Sequence, residues 1–188
     1  DGEDPASLHR AQVLELVNRE LDLIEPWLTV CGHVSPVAVA EAGVQATMFA
    51  TQHSQLILLT QIADQSQHVI SPPKTQRLPL VVPGVAESSD AYVISPTGLR
   101  PLQHRRVTGG IGVALDELGW ASAILFTSDP LAYARLAQTV ARNRQGTAQL
   151  QLATAIEDLR STKQMLAANP NRVAGDATTT LGLIETNL

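Results

Sequence analysis

Ala121-Ser122-Ala123-Ile124-Leu125-Phe126-Thr127-Ser128-Asp129-Pro130 is the stretch on which the fold turns. Its first seven residues form a short apolar run of strand length. Asp129-Pro130 then changes the pattern. An acid that can accept a hydrogen bond from a first-turn amide precedes a residue whose fixed φ and missing N–H suit the first helical position. The chain is therefore expected to pass from sheet to helix here.

Working back from this point, the punctuation is that of short strands. Ala46-Thr47-Met48-Phe49-Ala50-Thr51 and Leu56-Ile57-Leu58-Leu59-Thr60 are apolar runs separated by Gln52-His53-Ser54-Gln55, a hairpin pattern without an Asn-Gly turn. Residues 64–76 are polar, contain Pro72 and Pro73, and read as a loop. In Leu78-Pro79-Leu80-Val81-Val82 the proline places the strand at a sheet edge or at a strand start. Ala91-Tyr92-Val93-Ile94 runs into a Ser95-Pro96-Thr97-Gly98 turn, and Val107, Gly109, Ile111, Val113 and Leu115 alternate with smaller or polar residues. Six or so short strands divided by Pro- and Gly-rich turns predict a small antiparallel β-sandwich over residues 31–128.

Working forward, Leu131, Tyr133, Leu136, Ala137 and Val140 share one side of a helix, and the spacing resumes beyond Gly146 through Leu152, Ile156, Leu159 and Leu166. Gly146 is expected to kink or break it, since Gly costs a helix about 1 kcal/mol relative to Ala. Asn169-Pro170-Asn171 should end it, leaving residues 169–188 as a flexible tail. At the other end of the chain, Leu8, Ala11, Leu14, Val17, Leu21, Ile24 and Leu28 form an apolar stripe at helical spacing, with Asp4 or Ser7 as cap and Pro26 expected to close the helix at Glu25. The predicted class is α+β, a small antiparallel β-sandwich flanked by an N-terminal amphipathic helix (1–30, which could end an upstream domain) and a long C-terminal helix (129–168).

Composition narrows the function classes. Of 188 residues, 44% are hydrophobic and 16% charged, enough apolar content for a core and against wholesale disorder. A net charge of −5 argues against nucleic acid as partner. Acids crowd the opening stretch, while Arg100, Arg105, Arg106, Arg135, Arg142 and Arg144 make the middle mildly basic, either as solvated surface or as an anion or partner patch. No apolar run approaches the roughly 20 residues that span a bilayer, so membrane insertion is not expected. Cys31 is the only cysteine; Val30 and Gly32 beside it supply no charge to activate a thiol, which favours packing. The opening Asp1 suggests processing or excision from a longer protein. The compartment is left open by the residues themselves.

Motifs that carry chemistry are few. Gly109-Gly110-Ile111-Gly112 with Asp129 downstream has glycines suited to a dinucleotide site, but Gln103-His104-Arg105-Arg106 before it is too polar for a buried parallel strand, so a glycine-rich β-turn is expected. His9, His33, His53, His68 and His104 are scattered without metal-ligand spacing, and no serine lies in a Gly-x-Ser-x-Gly elbow. Glu87 with Asp90, and Asp116 with Glu117, are the nearest carboxylate pairs, both among turn residues where acids are ordinarily solvated. No catalytic residue, metal or cofactor is expected. Of the aromatics, Trp27, Phe49 and Phe126 read as core, while Tyr92 and Trp120 are the candidates for a ligand-binding face.

Four segments carry a resemblance in their order: Leu16-Val17-Asn18-Arg19-Glu20-Leu21 with Ile24-Glu25-Pro26-Trp27-Leu28, then Asp90-Ala91-Tyr92-Val93-Ile94-Ser95-Pro96-Thr97-Gly98-Leu99, then His104-Arg105-Arg106-Val107-Thr108-Gly109-Gly110, and Ala123-Ile124-Leu125-Phe126-Thr127-Ser128-Asp129. Together they resemble the C-terminal part of bacterial glycoside-hydrolase-like proteins of the planctomycete type, where the last helix of a catalytic barrel leads into a β-sandwich. The resemblance implies catalytic acids upstream, so none is carried over to this chain, and it implies a secreted or periplasmic protein. The long C-terminal helix departs from that pattern.

The leading expectation is a non-catalytic accessory β-sandwich of a larger carbohydrate-active protein, its partner the upstream domain of the same polypeptide. The alternative is an assembly module that uses the C-terminal helix. A third reading is a carbohydrate-binding module that holds polysaccharide through Tyr92 and Trp120.

Overall fold

The computed structural model describes residues 5–62 and 77–168. The loop expected over 64–76, the tail expected over 169–188 and the capping candidate Asp4 lie outside the described residues. In chain order the elements are α1 (Pro5–Val30), β1 (His33–Val37), β2 (Val44–Ala50), β3 (Ser54–Gln61), β4 (Leu78–Val82), β5 (Asp90–Ser95), β6 (Gly98–Pro101), β7 (His104–Val107), β8 (Gly110–Leu115), β9 (Ala121–Thr127) and α2 (Pro130–Ala168). The strands form a six-stranded sheet, β1-β2-β3-β9-β5-β6, and a three-stranded sheet, β4-β8-β7, antiparallel throughout. The α+β class and the flanking helices are as the sequence predicts. Two compact units divide the chain: Asn18–Gln145, and Asp1–Val17 with Gly146–Leu188.

Within the unit of residues 18–145, strand alternation sorts side chains onto two cores. One face of the large sheet presents Ala46, Met48, Ile57, Leu59, Ile124 and Phe126 to Leu80, Val82, Ile111, Val113 and Leu115 of the small sheet. The other face presents Leu56, Ala123, Leu125 and Ile94 to Leu23, Ile24 and Trp27 of α1 and to Leu136 and Val140 of α2. Each of the valine, leucine, isoleucine, phenylalanine and methionine side chains among these contributes roughly 1.5–3 kcal/mol when taken out of water.

Local chemistry explains how the elements begin and end. The amide of Leu131 donates to Asp129 Oδ1 at 2.8 Å, the N-cap that the Asp-Pro pair predicts. The β2–β3 hairpin closes without Asn-Gly because Thr51 replaces it: its amide donates to the Ser54 carbonyl at 2.8 Å, and its Oγ1 accepts from the Ser54 amide at 3.1 Å. Ser54 Oγ in turn accepts the Trp27 indole N–H at 2.7 Å, tying α1 to that hairpin. Pro79 sits in β4, an edge of the small sheet, opposite Ala114.

Three expectations need correction. Pro26 does not close α1, which runs on to Val30. Leu23 and Ile24 before the proline and Trp27 after it all bury against the same sheet, so tertiary packing holds the turn that Pro26 weakens. Gly146 does not interrupt α2, which is continuous over 39 residues, although the boundary between the compact units falls there. And the alternation over residues 107–115 is not one strand: the chain turns at Thr108-Gly109, so Val107 ends β7, His104-Arg105-Arg106-Val107, whose polarity does exclude a buried parallel strand. Strand β7 is an exposed edge, where charge is favourable because it discourages pairing with other chains.

The unit formed by 1–17 and 146–168 is helical where described. His9 Nε2 lies 3.1 Å from Asp158 Oδ1, and Thr147 and Thr154 are buried, with Thr154 Oγ1 donating to the Leu150 carbonyl at 2.9 Å. Leu8, Leu14, Val17, Leu152, Ile156 and Met165 stay exposed.

Gly109 and Gly110 close the β7–β8 hairpin with φ of 95° and 152°. A Cβ on Gly110 would overlap the Val82 carbonyl. Gly110→Ala is therefore expected to destabilise the fold by about 3 kcal/mol or more in urea denaturation, from strain and overlap combined. Gly98→Ala, where a Cβ meets nothing within 4 Å and φ is not positive, is the contrast and should shift stability by under about 1 kcal/mol.

Candidate functional site

The two aromatic candidates lie on different parts of the large sheet. Tyr92, in β5, pairs with Leu125 of β9 and faces the helices, where its ring stands 4.7 Å from that of Tyr133 with planes inclined at 32°. Trp120 precedes β9 and is 50% exposed, its carbonyl accepting the Gln61 amide at 2.9 Å. Five residues of extended β9 separate Trp120 from the level of Tyr92, roughly 17 Å of chain. The two rings are not neighbours on one stacking platform.

The acids are dispersed. Glu87 and Asp90 are exposed around the start of β5, and Asp90 Oδ2 lies 3.5 Å from the Tyr92 hydroxyl, which donates to it. Asp116 is exposed beyond β8, 3.5 Å from Arg100 Nη1, and Glu117 is exposed beside it. Among the described residues no three His, Cys, Asp or Glu side chains gather to hold a metal ion. His104 Nδ1 lies 3.3 Å from the Leu102 carbonyl, and half-buried Cys31 points its Sγ at the Leu28 carbonyl, 3.7 Å away; His68 is outside the described residues. Gly109 and Gly110 form a hairpin, and Gly112 lies within β8, so no helix N-terminus follows these glycines to receive a phosphate.

Among the described residues, two concave surfaces within residues 18–145 exceed the small one of about 70 Å³ at the β2–β3 hairpin. The first, about 290 Å³, has an apolar floor of Leu23, Trp27 and Leu136 with Asp22, Asp129 and Arg135 at its rim. Asp129 is already engaged as the α2 cap.

The second is a shallow trough of about 580 Å³ on the outer face of the small sheet. Its central strand, β8, carries Gly110, Gly112 and Ala114 on that face; β4 raises Pro79 and Val81 on one side, and β7 raises Arg105 and Val107 on the other. Gly112 stays low because the methyls of Val107 occupy the space above it, 3.2 Å and 3.4 Å from where a Cβ would stand. Arg77, Gln103, His104 and Arg105 supply the polar lining, and no carboxylate is among the lining residues. The sequence carried part of this signal, since Arg105 belongs to the mildly basic middle. Arg77 was missed, although it continues the every-second-residue pattern of Pro79 and Val81 onto the same face.

Comparison with models of known protein families finds no match, and comparison with curated proteins finds none either.

Tyr92 offers a direct check on this geometry. Burial raises its phenol pKa above the ordinary value, and the Asp90 charge, Tyr133 and the hydrogen bond to Asp90 add to the rise. A group whose pKa is raised on folding stabilises the fold fully below its unfolded pKa and loses that contribution as pH climbs through the folded one. Ultraviolet titration should show Tyr92 ionising above a free tyrosine. Asp90→Asn should bring the transition down part of the way, and stability above pH ~10 should fall less steeply in Tyr92→Phe.

Proposed function

We propose that this chain is a non-catalytic accessory β-sandwich, with helical flanks, of a larger carbohydrate-active protein of glycoside-hydrolase-like type. The observation that carries this reading is the division of the α1 stripe. Ile24 is buried on the sheet and Leu28 half-buried, while Leu8, Leu14, Val17 and Leu21 are left between 44% and 63% exposed. Four large apolar side chains at helical spacing on one element are more than scattered surface hydrophobics, and they suit a surface supplied from outside this chain. The accessory role assigns that surface to the upstream domain of the same polypeptide. The dispersal of the acids supports a supporting role over a reactive one, and the carbohydrate-active parent rests on the order of segments that resembles the glycoside-hydrolase-like proteins.

A second reading has its own observation. Leu152 and Ile156 are exposed on α2 and Leu159 and Leu166 only half-buried, the spacing of a seam that another helix could cover. It makes the chain an assembly module in which a second copy supplies that helix. Sedimentation equilibrium decides it: a strict monomer at high micromolar concentration removes it.

For the accessory reading, the purified chain should show no glycosidase turnover above the uncatalysed rate on neutral or acidic polysaccharides. Turnover lost on Glu87→Gln or Asp116→Asn would overturn it. Leu14→Lys with Val17→Lys should leave the unfolding free energy of the isolated chain within about 1 kcal/mol, as expected for uncovered positions. A loss above about 2 kcal/mol would mean that the chain covers this face itself.

A further inference from the structure

We propose that the trough on the outer face of the β4-β8-β7 sheet is a binding site for an acidic polysaccharide, one bearing carboxylates along an extended chain. The inference deepens the accessory reading, on which it rests for the choice of a sugar polymer, by naming the class of polymer held.

The argument begins with charge. The protein carries a net −5, yet the trough is lined by Arg77, Arg105 and His104 without an acid. Among the described residues neither arginine side chain has an ion pair or hydrogen-bond partner, so both guanidinium groups are available. A guanidinium presents paired N–H donors that match a carboxylate two at a time.

Spacing sets the size of the ligand. Arg105 stands opposite Gly112, and Arg77 lies two residues before Pro79, which stands opposite Ala114. The two arginines are therefore two strand spacings apart across the sheet and four residues apart along it. With strands about 4.8 Å apart and about 3.4 Å per residue, their Cα atoms stand roughly 17 Å from each other on the diagonal. An oligomer with charge at intervals can engage both.

The position of the trough selects the kind of chain. It lies on the face of the sheet, and β8 is hydrogen-bonded on both sides, to β4 and to β7. A chain lying across β8 gains no backbone ladder of the kind that strand addition at an edge provides. Recognition there comes from side chains: guanidinium groups on the anions, Gln103 on hydroxyls, and Pro79, Val81 and Ala114 under an apolar C–H surface. A polyuronate offers all three kinds of group on one backbone.

Affinity electrophoresis of the full chain tests this, with polygalacturonate, dextran or poly-L-glutamate in the gel. Polygalacturonate alone should retard the protein. Arg77→Ala and Arg105→Ala should each weaken the retention roughly tenfold, the scale of a lost charge-assisted bond. Val81→Glu, at an exposed position beside Gly112, should abolish it, while Arg100→Ala, off the trough and paired with Asp116, should not change it. Thermal melts should confirm that all four variants remain folded. Failure of polygalacturonate to retard the chain, equal retardation by dextran or poly-L-glutamate, or equal loss in Arg100→Ala would each overturn the proposal. None of these results bears on the accessory reading, which is decided by the absence of turnover.

Discussion

Strands β3 and β9 lie side by side in the middle of the large sheet, and neither has a solvent face. Leu56, Ile57 and Leu59 in one, and Ile124, Leu125 and Phe126 in the other, are no more than 1% exposed. Consecutive residues of a strand point to opposite sides, so a run such as Ile124-Leu125-Phe126 demands an apolar cover on both. The small sheet answers one demand and the two helices the other. The edges follow from the same constraint: β1, β6, β4 and β7 are where prolines and arginines are tolerated, because only there does a strand have an unpaired side.

How legible the chain was depended on whether the signal was local. The Asp129 cap, the edge position of Pro79 and the glycine turn before β8 were readable because each rests on the chemistry of one or two residues. Pro26 and Gly146 misled for the complementary reason. At Pro26 local propensity sets a cost of about 3 kcal/mol, which packing of Leu23, Ile24 and Trp27 against the sheet outweighs; at Gly146 the cost is only about 1 kcal/mol, small against a helix of 39 residues. Strand β7 was passed over because His104-Arg105-Arg106 was weighed only as a buried parallel strand; pattern alone does not announce an exposed antiparallel edge. The candidate site was legible least of all. Its floor is made of Gly112 and Ala114, residues that signal nothing in sequence, and Tyr92 and Trp120 stood out only because aromatics are rare in this chain.

Helix α1 shows how one sequence pattern can serve two surfaces. Its stripe is continuous in sequence, yet among the described residues it is covered only beyond Leu21, where Leu23 and Trp27 widen the apolar face to meet Leu56 and Leu125. Before that point the helix carries as much apolar character with less to cover it. Propensity does not require leucine and valine there, since exposed helix positions are equally well served by alanine or by charged residues. An uncovered stripe of this kind makes sense where a second body meets the helix.

The same economy governs where recognition can occur. A sheet buried on both faces leaves no inner surface for a ligand, and the polar groups nearest the cores are already committed: the Trp27 indole to Ser54, Asp129 to the α2 amide, Thr51 to its hairpin. What remains is the outward side of the small sheet, which no other layer covers among the described residues. There the side chains that alternate with the core are Pro79, Val81, Gly112, Ala114 and Arg105, two of them among the smallest that exist. Solvated strands ordinarily fill such positions with β-branched or polar residues, which pack and pair across the face. A central strand of glycine and alanine lowers the surface between two taller neighbours, and over Gly112 the methyls of Val107 lean in from β7 to cover part of it. What is left is a shallow trough with Arg77, His104 and Arg105 in its lining, the one place in the unit of residues 18–145 where low relief and positive charge coincide among the described residues.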